Sequence, residues 1–208
     1  MSGEAVERSE MARGRSYVYR LLAMLFLREL TAELLTTLKG KEVMGALKDL
    51  GVDMGDIFFD IPQEELLDAL AEEYAALFIV PGGISPYESV RLKGLLCQES
   101  EWEVREFYRR CGLIVREGCP VLSDHLGMEL EFMGYLTEKE SKAWGDKDEK
   151  GAMEWCSLQG EFFTEHINKW VFSLLKDLKR YAFHPFYKEV VILAQRFLEV
   201  EKRCFGVE

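Results

Sequence analysis

Only three histidines occur in this 208-residue chain, and one of them, His125, is set among acids, with Asp124 before it and Glu129 four residues after it. On a helix that spacing puts imidazole and carboxylate on one face, where they suit a divalent ion if two further ligands come from elsewhere. A local hydrogen bond or surface pair needs no further ligand and is the plainer reading. Asp124 has an equally ordinary role at a helix start, where a carboxylate accepts from free backbone N–H groups. His166, four residues before Trp170, reads as packing, and His184, before Pro185, as a boundary residue. The ExxH pairs of a di-iron bundle are absent, as are HExxH, GxSxG, a Walker loop and GxGxxG. The five cysteines, Cys97, Cys111, Cys119, Cys156 and Cys204, are scattered without CxxC spacing, which suggests neither a disulfide framework nor a zinc ribbon. No cofactor and no catalysis are expected. A metal-dependent hydrolase using His125, Glu129 and a distant carboxylate is the alternative from another class.

Recognition is the other chemistry on offer. Tyr74, Phe78 and Tyr87 surround a Pro-Gly-Gly elbow at 81–83 and suit a groove for an apolar peptide segment. Buried core is the commoner fate of such a stripe. The formal net charge of −11 disfavours nonspecific attraction to nucleic acid or an anionic membrane, and no helix is basic enough to read DNA.

The elements that must carry these residues read as helices throughout. Residues 1–9 form a polar tail, and 10–27 repeat apolar positions at helical intervals. Arg13, Arg15 and Arg20 precede an apolar run at 21–27 much as in a secretory signal, but Arg28 and Glu29 follow with no cleavage site. The run is too short to span a bilayer and is expected as a core helix of a protein that stays inside the cell. Thr31 caps a helix to Leu38, and the next, 41–50, ends at Gly51. Residues 57–61 are strand-like without a partner and are expected as a packed loop. Over 62–79 the residues Leu66, Leu67, Leu70, Tyr74, Leu77 and Phe78 share one face. Helical patterns follow at 99–111, from Leu122 to Met133, at 154–179 and at 185–203, with a short turn at Tyr87 and a charged break around Gly145. The expectation is an all-α, single-domain bundle of eight or nine helices over 10–208.

Three stretches carry a resemblance as well: EEYAALF at 72–78, PYESV at 86–90 and SDHLGMELEFM at 123–133, followed by EFFTEHINKW and HPFYKEVVILAQRFLE. In this order the chain resembles the TorD/DmsD/NarJ family of molybdoenzyme chaperones over nearly everything after the first helix. It departs from the family's usual Pro-Asp-His at Ser123, and has Arg91 where an aromatic is frequent. The resemblance implies an all-helical cytoplasmic chaperone, monomer or homodimer, without nucleic-acid binding or membrane insertion. It would bind the twin-arginine signal peptide or immature catalytic subunit of a molybdenum-cofactor oxidoreductase and delay export until assembly. A NarJ-like factor for the N-terminus of a non-exported respiratory subunit is the alternative. Carried over by motif, the peptide-binding residues are Tyr74, Leu77, Phe78, Pro86, Tyr87, Asp124 and His125, and Glu88, Ser89 and Glu129 complete the expected set. Glu88, Asp124 and Glu129 are expected to face the signal's arginines while partly solvated.

Overall fold

The computed structural model describes residues 3–207. Its helices are α1 (Gly3–Leu27), α2 (Ala32–Leu38), α3 (Lys41–Asp49), α4 (Gly55–Phe59), α5 (Gln63–Tyr74), α6 (Glu88–Lys93), α7 (Glu99–Arg110), α8 (Leu126–Gly145), α9 (Glu149–Phe162), α10 (Asn168–Tyr181) and α11 (Pro185–Cys204). Two π-helical turns, Ala75–Ile79 and Phe163–Ile167, extend α5 and join α9 to α10. Among the described residues there is no strand, only an isolated bridge between Tyr87 and His125. The all-α class is as expected. Eleven segments stand where eight or nine were expected because the strand-like 57–61 run forms the short α4 around buried Phe58, and a π-turn divides the long helix expected at 154–179. No helix among the described residues is long and apolar enough to cross a membrane.

Contacts gather the chain into two compact units, one of residues 3–27 and 87–171 with 207, the other of 28–86 and 172–206. In the first, α8 is the central helix. Its buried residues, from Leu126 and Leu130 to Phe132, Met133, Leu136 and Trp144, cover most of its circumference and leave Glu131, Glu138 and Lys142 on one exposed stripe. Its partner α1 begins at Gly3 and takes in residues expected as a tail. Ser9 Oγ donates to the Ser141 carbonyl and Ser141 Oγ to that of Ser9, both at 2.8 Å, which fixes the first turns of α1.

That reciprocal pair is one rung of a seam of small residues. Ser9, Ser16 and Ala23 on α1 meet Ser141, Gly134 and Gly127 on α8 in antiparallel order, each set spaced by seven residues. Heptad spacing keeps one stripe of each helix facing the other, and small side chains let the backbones approach. Ser16 Oγ donates to the Gly134 carbonyl at 2.8 Å, and a Cβ at Gly127 would sit 3.0 Å from the Ala23 carbonyl oxygen.

In the second unit α5 buries Leu66, Leu70 and Tyr74, as its period requires. Charged side chains in this unit close backbone ends that are remote from them in sequence. The Glu73 carboxylate accepts from the Phe183 and His184 N–H groups at 2.6 Å each, just before α11, where His184 Nδ1 accepts from Phe186 N at 3.1 Å. Gly51, at φ +77°, ends α3 as expected, and the Arg196 guanidinium donates to the carbonyls of Leu50 and Gly51.

The seam separates two glycine substitutions. Gly127→Ala places a Cβ 2.4 Å from Leu27 Cγ as well as against the Ala23 carbonyl, so it should destabilise by about 1–2 kcal/mol despite better helix propensity. Gly134→Ala meets only the flexible stem of Arg20, at 2.8 Å, and should leave stability unchanged or raise it by up to about 1 kcal/mol. Urea unfolding of the two variants checks the contrast.

Candidate functional site

Residues 87–89 lead into α6, and the loop before α8 holds them in place. The Glu88 N–H donates to the Asp124 carbonyl at 3.0 Å and the Ser89 N–H to Asp124 Oδ2 at 2.9 Å, so the Asp124 carboxylate caps α6 from across the unit. His125 is the N-cap of α8, with Nδ1 accepting from Gly127 N at 3.0 Å, which leaves the ring proton on Nε2. Its ring meets that of Tyr87 edge-on, centroids 4.9 Å apart. Tyr87 stays half-buried, while Glu88, Ser89, Asp124 and His125 are buried.

Beneath this segment lies a buried polar cluster. Glu88 Oε2 is 3.0 Å from His166 Nδ1, and Trp170 Nε1 donates to Glu129 Oε2 at 3.2 Å. Tyr108 donates its O–H to the Ser123 carbonyl at 2.9 Å. Relative exposures of 1% for Glu88 and 0% for Asp124 and Glu129 mean that none of the three carboxylates is presented to solvent, contrary to the partly solvated pairing expected. Burial, followed by the charges of Glu88 and Asp124, pushes the Glu129 carboxyl well above the usual carboxylate range and favours its protonated form. Burial likewise pushes the His125 imidazole down to about 4, so the ring is neutral near pH 7.

Tyr74, Leu77, Phe78 and Pro86 belong to the other unit. Tyr74 and Leu77 are buried, and Phe78, half-buried, lies 5.0 Å from the Tyr74 ring. The Pro-Gly-Gly turn folds back on the π-turn, with Ile84 N donating to the Leu77 carbonyl and Gly83 N to that of Val80. A Cβ at Gly83 would sit 2.8 Å from the Leu77 oxygen, so the approach requires glycine. Ile79 and Val80 are left exposed, at 68% and 47%.

The structure thus brings Tyr87, Glu88, Ser89, Asp124, His125 and Glu129 into one unit. His125 and Glu129 do not share a partner, and Asp124 serves Ser89 rather than His125. Among the described residues no group of three His, Cys, Asp or Glu converges to hold a metal, and the Gly127 N–H already uses His125 Nδ1. His166, expected as packing, belongs to this cluster together with Trp170; the signal that could have found them is a pair of polar-tipped side chains four apart on an apolar helix face.

Since folding lowers the His125 pKa, its contribution to stability is present in full above about pH 6.5 and is lost as pH falls towards 4, where protonation costs about 3 kcal/mol. His125→Asn keeps an acceptor for the Gly127 N–H without titrating. Between pH 7 and 4.5 it should lose about 2 kcal/mol less stability than the parent; parallel unfolding curves would refute the assignment.

The profile of the nitrate reductase delta subunit family matches residues 27–176. Chaperone protein TorD of Shewanella oneidensis is 31% identical over 137 residues, 59% of this chain and 63% of the relative, so the chain spans a little under two thirds of that protein. Chaperone protein TorD of Vibrio cholerae is 23% identical over 206 residues, covering 91% of both chains. The perchlorate reductase assembly chaperone protein of Dechloromonas aromatica is 28% identical over 135 residues, 62% of this chain and 59% of its own. With the profile running from the end of α1 into α10 and relatives that are named chaperones, this chain belongs to the nitrate reductase delta subunit family, the TorD/DmsD/NarJ group of molybdoenzyme chaperones.

Proposed function

We propose that this protein is a cytoplasmic chaperone that binds the twin-arginine signal peptide, or the immature catalytic subunit, of a molybdenum-cofactor oxidoreductase and delays export until assembly is complete. No bond is made or broken. Family membership supports the class of partner, and the observation that carries the binding reading is the hold on residues 87–89. Asp124 and the Tyr87 and His125 bridge fix this short segment, yet the Tyr87 ring stays half-exposed. A pre-organised aromatic edge loses little conformational freedom when a peptide docks on it.

In this reading Tyr87 touches the apolar part of the peptide, and Glu88, Ser89, Asp124, His125 and Glu129 support it from within its unit. Phe78, supported by Tyr74, Leu77 and Pro86 in its own unit, is a separate contact to be tested by itself. The family profile's description as a nitrate reductase subunit favours one rival, a factor for the N-terminus of a non-exported respiratory subunit.

Calorimetric titration with synthetic twin-arginine signal peptides separates the two. Saturable binding is expected, weakened both by replacing the arginines and by making the apolar stretch polar. Tyr87→Ala, and separately Phe78→Ala, should weaken affinity about tenfold with modest loss of thermal stability, as for contact residues near an interface centre. No binding to any such peptide, with binding to the N-terminus of a non-exported subunit, would overturn this reading in favour of the rival.

A further inference from the structure

Glu88 on α6, Glu129 on α8 and His166 in the second π-turn are sealed in one place, and surface contact explains none of them. Glu129 Oε2 accepts from Trp170 Nε1, Glu129 Oε1 faces no donor, and Glu88 Oε2 lies 3.0 Å from His166 Nδ1. With both carboxylates ionised, two like charges would be buried in one cluster with only His166, on the Glu88 side, to offset them. A single proton on Glu129 resolves this: its O–H becomes a donor to Glu88, and a chain runs from Trp170 through Glu129 to Glu88, which His166 reaches from the other side.

We propose that Glu129 and His166 are positioning residues of the candidate site. By donating together to the Glu88 carboxylate, with one proton held on Glu129, they fix residues 87–89 against α8 and the π-turn. The aromatic edge is then in its binding geometry only while that proton is present. The other groups facing the cluster are Asp124 from the loop before α8 and Tyr108 and Glu101 from α7, the last held by Arg105. A cleft on the outer side of His166 adds Glu103, Glu106 and Arg110 from α7 with Glu165 and Lys169. On α1 the cations Arg15 and Arg20 are engaged elsewhere, with Glu140 and Glu138. The charges that bear on Glu129 are those of Glu88 and Asp124 and not a cation's, so a proton serves.

This rests on the binding role proposed for residues 87–89, but its first test uses no peptide. The indole ¹H–¹⁵N cross-peak of Trp170, assigned with Trp170→Phe, should titrate with a midpoint above the ordinary carboxylate range. Glu129→Gln, isosteric and always a donor, should abolish that titration while leaving the amide peaks of residues 87–89 in place; His166→Asn should move the midpoint. Peptide affinity should fall about tenfold as pH rises through the midpoint in the parent and stay level in Glu129→Gln. No titration in this range, or the same titration in Glu129→Gln, overturns the proposal whether or not peptide binds; an unmoved midpoint in His166→Asn overturns the part given to His166. Loss of peptide binding alone counts against the binding role and leaves the proton assignment standing.

Discussion

Three carboxylates, Glu88, Asp124 and Glu129, lie buried in one unit, and much of that unit is arranged to make their burial tolerable. An uncompensated buried charge costs several kcal/mol, so each must find donors or lose its charge. Asp124 finds backbone N–H at the start of α6, Glu88 finds an imidazole, and Glu129 finds an indole and is pushed by burial towards its protonated form. Each solution draws together segments far apart in sequence. The loop before α8 is tied to α6, and α6 to the turn between α9 and α10. A cluster of this kind is expensive unless complete, so its members specify a single arrangement.

The base on which this sits is apolar and close-packed. α8 carries Glu129 and is capped by His125, and the small-residue seam with α1 sets its position along the helix axis, since side chains in register leave little room to slide. The other unit applies the same economy of charge to different ends. Glu73 closes the start of α11 and Arg196 the end of α3, so long ionic side chains add to the local caps at His184 and Gly51.

This changes what the motif residues mean. Asp124 and His125 are helix caps for α6 and α8, and their substitution would disturb the segment that holds Tyr87. Lost binding in such variants reports position before contact. The Tyr87 and Phe78 rings, by contrast, are only half-buried, and Ile79 and Val80 are exposed.

Helical periodicity made most of the fold legible. The stripe on α5, the caps at Thr31 and Gly51 and the start of α11 at Pro185 are local, because backbone hydrogen bonding and φ preference act within a few residues. The ordered motifs at 72–78, 86–90 and 123–133 indicated the family. Other features could not be read in one dimension. The run at 57–61 looked extended because a single turn of helix is too short for a period to register, and the polar start of α1 looked like a tail because its partner, Ser141, is remote in sequence. The same holds for the site. Residue types named Glu88, Asp124 and Glu129 as important, but whether a carboxylate faces water or the core depends on what packs over it, and His166 joins them only through a contact spanning 78 positions. Local chemistry therefore determined the helices and their caps, while burial, protonation and partnership were decided by tertiary structure, because desolvation is a property of the assembled neighbourhood and not of any one residue.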